Sequence, residues 1–280
     1  MARSTGYERE RSIAREIVRE AGAVVLEWHA RGVEVDWKGV DDPVTSADRA
    51  SNDLILERLH ELFPGDAVLS EESKDGAARL EADRVWIVDP LDGTKDFVAG
   101  TGEFSVLLGL AVRGLPVVGA VSRPLDGLLW HAARGEGAVE EGPSGTSAAR
   151  VSDVSEPSAM RLVVTRTHRF ALLDELVRVL GIEREHPLGS VGLKVGALAT
   201  GAADLYIHLS PGIKEWDTCA PEVILVEAGG AITDVAGRPL AYNRPDVMRW
   251  KGLVASNGRV HEHIVERIAP LARRAGLLDA

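Results

Sequence analysis

Between Tyr7 and Ala30, apolar residues recur at helical spacing. Ile13, Ile17, Ala21, Val24, Val25 and Trp28 carry charges between them, which predicts an amphipathic helix. A second helix is predicted from Ser46 to Leu62, with Leu54, Ile55, Leu59 and Leu62 on its apolar side. Pro43, Thr45 and Ser46 mark its start, and FPGD (63–66) marks its end. A short strand, Ala67 to Ser70, runs into Glu71 and Glu72. Val85, Trp86, Ile87 and Val88 form an apolar run that predicts a buried strand.

From Glu103 to Glu140 the rhythm changes. FSVLLGLAV, VVGAVS and LLWHAA are separated by RGLP and RPLDG and followed by RGEG, which predicts an antiparallel meander. The Gly- and Ser-rich stretch EEGPSGTSAAR (140–150) reads as a loop. It is the best internal boundary, dividing an N-terminal half (1–148) from a C-terminal half (149–280). Beyond it, strand and helix signals alternate through RLVVT, ALLDELVRVL, VGLKVGALATG, ADLYIHL, APEVILVEAGG, GLVAS and VHEHIVERIAPLARRAG. The expected class is α/β (α+β), with helices on both sides of sheets.

Charge narrows the chemistry. The 280 residues carry 43 acids against 32 bases, a formal net charge of −11. That balance disfavours broad binding to nucleic acid or to anionic membrane. An anionic substrate would need a local positive centre. Cys219 is the only cysteine, so an intramolecular disulfide and a Cys-based zinc site are excluded. The first twenty residues lack the apolar core of a signal peptide, and no apolar run approaches the roughly 18 to 20 residues of a membrane span. A cytoplasmic protein is expected.

The sharpest local feature is DPLDGT, residues 89–94. Two acids stand at a strand's end, and Pro90 and Gly93 are expected to set Asp92 on a tight turn. Their mutual repulsion calls for positive charge, and a metal ion is the first candidate. Further acids stand beside turn or helix-start residues: Asp48 in VTSAD, Glu71 and Glu72 in LSEES, and Asp217 in KEWDT. Oxygen-only donors suit Mg2+, which shares substrate phosphate oxygens. Backbone N–H groups of Gly93 and Thr94 suit phosphate at a helix start. Each residue also has a plainer reading. Asp48 serves a helix's first turn, Asp217 is an N-cap, Trp216 is packing, and Cys219 is a small buried residue near a helix start. Lys194 is a solvated charge, His168 a surface-loop residue, and His261 and His263 are solvated.

Taken in order, VTSAD, SEES, VDPLDGTKDF and IKEWDTCAPEVILVEAGG resemble the motifs of the inositol monophosphatase superfamily, from the second helix to Gly229-Gly230. The resemblance implies a layered αβαβα sandwich and Mg2+-dependent, Li+-sensitive hydrolysis of phosphate monoesters by metal-activated water. Carried over by residue, it makes Glu71, Asp89, the Leu91 carbonyl, Asp92 and Asp217 the ligands of two or three Mg2+ ions, with Asp89 bridging two of them. Asp48 and Thr94, with Glu71, form the catalytic set that orients or deprotonates water. Gly93 and Thr94 hold the phosphate, and Glu72 stands behind Glu71.

Within the superfamily, four features resemble the 3'(2'),5'-bisphosphate nucleotidase branch (its CysQ-like members). They are Lys95 and Phe97 in DGTKDF, Lys214 and Trp216 in KEWDT, TRTH (165–168) and GSVGLK (189–194). This implies a small phosphate ester as substrate, adenosine 3',5'-bisphosphate, cleaved to AMP and phosphate. Lys95, His168, Ser190, Lys194, His208 and Lys214 would contact it, with Ser190 and Lys194 on the uncleaved phosphate. Two positions depart from the pattern: Ser190 stands four residues before Lys194 where some members have three, and His208 stands where some have arginine. Inositol 1-phosphate and histidinol phosphate are the alternative substrates. A non-catalytic phosphometabolite-binding protein is the remote alternative; it would lack some of Asp48, Glu71, Asp89, Asp92, Thr94 and Asp217, all of which are present. Superfamily members occur as monomers and homodimers, and either is expected here.

Overall fold

In β4 (Arg84–Asp92), a single strand shows how the layers stack. Successive side chains of a strand face opposite ways. Trp86 and Val88 pack with α1 (Glu8–Arg31) and α2 (Ser46–Leu62) through Ile17, Val18, Val25, Ile55 and Leu59. Val85 and Ile87 face the other side, where α5 (Val191–Ala199) and α6 (Glu215–Glu227) bring Leu193, Val195, Cys219, Ala220 and Val223. The computed structural model describes residues 6–32, 35–39, 42–166, 172–209 and 212–278.

The larger sheet has seven strands in sequence order: β3 (Ala67–Ser70), β4, β5 (Ser105–Val112), β6 (Leu115–Arg123), β7 (Leu128–Ala133), β8 (Ala138–Gly142) and β9 (Gly145–Ala148). Only β3 and β4 run parallel; the other neighbours are antiparallel. A second sheet has the order β11 (Arg184–Pro187), β10 (Arg161–Val164), β12 (Leu205–His208), β14 (Leu253–Ser256) and β13 (Ala231–Thr233). Its inner face joins the core around α5 and α6 through Val163, Tyr206 and Ala255. Its outer face packs Leu162, Leu205 and Val254 against α4 (Leu173–Leu180) and α7 (His261–Arg274). The result is the expected αβαβα sandwich. Further elements include a β1 (Val35–Gly39) and β2 (Asp42–Thr45) hairpin and the short α3 (Thr94–Val98). No helix among the described residues is long and apolar enough to cross a membrane.

α6 lies very close to the larger sheet. A Cβ at Gly109 would meet the Cys219 Sγ at 2.6 Å, and one at Gly119 would collide with the Ala220 carbonyl oxygen. Two glycines on neighbouring strands therefore let the helix settle against the sheet.

Three expectations change. The loop expected at 140–150 is largely hairpin: β8 and β9 pair from Val139↔Ala148 to Gly142↔Gly145 around a two-residue connection. Its polar, mostly exposed residues hide the strands from a hydrophobic pattern. His261 is buried rather than solvated, with Nδ1 2.8 Å from Ser256 Oγ and Nε2 2.9 Å from Thr233 Oγ1. His263 is exposed, as expected. The tight turn expected at Asp92 is instead an irregularity within β4. Asp89 pairs with Leu107 and Asp92 with Ser105, and the register shifts between them. Pro90 has no N–H to give to the ladder, so the strand breaks step there and then resumes.

Candidate active site

The acids meet at the C-terminal end of β4. Carboxylate oxygens of Asp89, Asp92 and Asp217 lie within 4.8 Å of one another. The sheet presents the first two. Ser51 Oγ donates to the Pro90 carbonyl at 2.8 Å, and the Leu91 N–H donates to Asp89 Oδ1 at 3.1 Å. Asp217, in the first turn of α6, accepts the Lys214 N–H at 2.5 Å. It is thus not the N-cap, which is Lys214, but the acid three residues on that bonds back to it, and a member of the cluster at once.

Gly93 turns the chain out of β4 with φ +93°, a conformation that favours glycine. Thr94 then opens α3. Its hydroxyl lies 3.1 Å from Asp48 Oδ1 and 3.1 Å from the Leu91 carbonyl oxygen. Asp48 is fixed from its other side: Oδ2 accepts the Thr45 N–H at 2.8 Å and the Thr45 hydroxyl at 2.5 Å. Thr45 Oγ1 in turn accepts the Ala47 and Asp48 N–H groups, forming a capping box at the start of α2. Asp48 therefore serves the helix with one oxygen and faces Thr94 with the other.

Electrostatics set this region apart. Burial pushes Asp89 well above the usual carboxylate range, reinforced by the charges of Glu71, Asp92, Asp217 and Asp48. Asp217 is pushed up to about 8 by burial, then by Asp92 and Glu71. Asp48 is raised by burial, which outweighs its hydrogen bonds from Thr45 and Thr94. Two lysines offer partial relief. Lys214 Nζ lies 3.6 Å from Glu71 Oε1 and 5.0 Å from the Trp216 ring centre. Lys194 is 3% exposed, donates to the Ser190 carbonyl at 3.1 Å, and is lowered by burial to about 8. Closely set carboxylates that raise one another's proton affinity fit a divalent cation, because a hard ion removes the repulsion that burial amplifies.

The structure thus brings together Asp48, Glu71, Asp89, Leu91, Asp92, Thr94 and Asp217, with Lys214 beside Glu71. Lys95, next in α3, is partly exposed, and His208 ends β12 with its ring 6.5 Å from that of Tyr206. Ser190 and Lys194 are buried rather than open to solvent. Trp216 is buried in the core between the sheets, and Cys219 is buried against Gly109. His168 lies outside the described residues. Sequence reasoning placed Thr45 at the start of α2 but missed that it holds Asp48, although a T-x-x-D pattern was there to find. Ser51 and Ser105 gave no signal. A pocket of about 420 Å3, lined by Asp234, Leu240, Met248, Arg249 and Trp250 among others, includes none of the clustered acids.

The layered fold and the acidic cluster fit the sugar-phosphatase type of metal-dependent phosphatase. The chain belongs to the inositol monophosphatase family, whose profile matches residues 7–274. This family is metal-dependent, and the three aspartates are able to hold a metal ion. Over 232 residues the chain is 35% identical to the 3'(2'),5'-bisphosphate nucleotidase CysQ of Escherichia coli O157:H7, covering 81% of this chain and 91% of that protein. It is 37% identical over 229 residues to the 3'-phosphoadenosine 5'-phosphate phosphatase of Mycobacterium tuberculosis, covering 78% and 82%. Among solved structures, the inositol monophosphatase of Anabaena superposes with a TM-score of 0.76 at 28% identity, covering 95% of this chain and 97% of that one.

Proposed function

We propose that this chain is a Mg2+-dependent phosphatase that removes the 3'-phosphate of adenosine 3',5'-bisphosphate, giving AMP and phosphate. The observation that carries the reading is the meeting of Asp89, Asp92 and Asp217 beside the Asp48–Thr94 pair. The substrate comes from the two relatives, which are named for bisphosphate nucleotides. Glu71, Asp89, the Leu91 carbonyl, Asp92 and Asp217 would hold two or three Mg2+ ions, with Glu72 behind Glu71. Bound there, the ions would polarise the phosphoryl oxygens and make a water molecule more acidic.

The chain's own residues do the rest. The Thr94 hydroxyl donates to Asp48 Oδ1, which leaves its lone pairs to accept a hydrogen bond from the attacking water. A proton shed by that water passes through Thr94 to Asp48, whose raised proton affinity suits it to receive one. The water oxygen bonds to phosphorus, the bond from phosphorus to the ribose 3'-oxygen breaks, and that oxygen takes a proton from solvent water as it leaves as a hydroxyl, while the proton on Asp48 returns to solvent. The Gly93 and Thr94 N–H groups steady the phosphate. Lys95, His168, His208 and Lys214 would contact the nucleotide, with Lys194 on its uncleaved phosphate. The C-terminal half (149–280) completes the site of the first half (1–148) by supplying Asp217. A cytoplasmic enzyme, monomeric or homodimeric, without nucleic-acid or membrane partners, goes with this reading.

The test is phosphate release from adenosine 3',5'-bisphosphate, inositol 1-phosphate and histidinol phosphate, with Mg2+, with and without Li+. Preference for the bisphosphate, suppressed by Li+, is expected. Preference for either monophosphate would overturn the substrate but keep the chemistry. Release from none would point to a binding protein.

A further inference from the structure

Asp92 is held from below by the first turn of α5. The Ser190 hydroxyl donates to Asp92 Oδ2 at 2.5 Å, and the Gly192 N–H donates to the same oxygen at 2.7 Å. Ser105 Oγ lies 2.8 Å from Ser190 Oγ and 3.4 Å from that carboxylate oxygen. The protons account for themselves. Ser105 donates to Ser190 and Ser190 to Asp92, while Ser190 Oγ also accepts the Leu193 N–H at 3.1 Å. The bonds from Ser190 and Gly192 converge on Oδ2, and the Val191 backbone N–H is a further donor to the same carboxylate. Both serines are buried, at 0% and 5% exposure for Ser105 and Ser190.

Two further observations show that the turn is built for this contact. Ser190 sits at φ +55°, a left-handed conformation unusual for a residue with a Cβ. A Cβ at Gly192 would lie 2.6 Å from Ser105 Oγ and would also collide with the Leu107 side chain, so only glycine brings its N–H this close. The backbone thus tolerates strain at Ser190 where glycine would relieve it, and the hydroxyl is what glycine would lose.

The geometry assigns Ser190 and Ser105 as positioning residues for Asp92: they fix one carboxylate oxygen so that the other is left to ligate metal. This deepens the proposed function and rests on Asp92 as a metal ligand. It also gives Ser190 a different task from contact with the uncleaved phosphate.

Ser190→Gly separates the two. It preserves the turn, relieves the left-handed strain, and weakens the cap of α5 only slightly. Its melting temperature without metal is therefore expected to match the wild type. The Mg2+ concentration giving half-maximal thermal stabilisation, measured without substrate, is expected to rise ~10- to 100-fold, the usual scale for residues that orient metal ligands. The KM for adenosine 3',5'-bisphosphate at saturating Mg2+ is expected to stay within about twofold of wild type. Ser105→Ala, which removes only the relay, should raise the Mg2+ midpoint by less. An unchanged Mg2+ midpoint in Ser190→Gly would overturn the inference, and a raised KM alongside it would return Ser190 to the substrate. A wild-type protein that Mg2+ fails to stabilise would instead overturn the metal site itself, and the proposed function with it.

Discussion

Two buried acid sites in this molecule are built on opposite plans. Asp204, fully buried, is neutralised where it stands. Arg161 donates to it through Nε at 2.8 Å, through Nη2 at 2.9 Å and through its backbone N–H at 2.7 Å, and the Ser152 hydroxyl adds a further bond. Burial alone would raise this carboxyl, but those bonds outweigh it and hold it below the usual range. The cluster of Asp89, Asp92 and Asp217 receives backbone and hydroxyl donors and, among the described residues, no comparable guanidinium, and its acids are raised. One site fastens the smaller sheet to the segment before it. The other leaves its acids raised, with only partial relief from Lys194 and Lys214, an arrangement that fits a bound cation. Burial of an acid therefore says little about its role until its countercharge is found.

That contrast can be broken from either side. Asp89→Asn should lower phosphatase turnover ~1,000-fold, the scale on which single electrostatic groups act at reaction centres. The same change removes a repelled charge, so the metal-free melting temperature should hold or rise. Wild-type-like turnover would remove Asp89 from the reaction. At the other site, Arg161→Met strands the Asp204 carboxylate and should cost about 3 kcal/mol in denaturant unfolding. Turnover per folded molecule should stay near wild type, and a large loss there would mean the two sites are coupled.

Mg2+ at about 100 times its dissociation constant should add ~2.7 kcal/mol of stability to the wild type. Asp89→Asn should lose most of that gain, whereas Arg161→Met should keep it. The smallest effect concerns Glu222, which is raised by burial to about 7 from a usual 4.5 and accepts the Tyr242 hydroxyl at 2.5 Å. A raised carboxyl contributes stability that is fully present below about pH 4.5 and lost as pH rises through about 7. Asp204 has the opposite sign, contributing above its usual value of 3.8 and losing that contribution as pH falls. Glu222→Gln should therefore flatten the decline of melting temperature between pH 4.5 and 7. An unaltered slope would show that other groups carry it.

The clustered acids were legible because their sequence context is odd. DPLDGT sets two carboxylates around a proline at a strand's end, and no packing rule asks for that. The supports were not legible. Serine is common, and nothing near Ser105 or Ser190 hints that residues 85 apart meet at one carboxylate oxygen. His261 was within reach: it falls three and seven residues before Ile264 and Ile268, the buried stripe of α7, so its helical phase already placed it inside. The β8–β9 hairpin had no such handle, because its partly and fully exposed residues carry no alternation to read.

The meeting of Gly109 and Gly119 with Cys219 and Ala220 has a bearing on chemistry some distance along the chain. Asp217 rides on α6, whereas Asp89 and Asp92 belong to the sheet on which α6 rests. The spacing of the acids is thus a tolerance set at the seam between helix and sheet. A single methyl group at either glycine would act as a shim, lifting Asp217 away from its partners and mistuning the site without altering one of its charged groups.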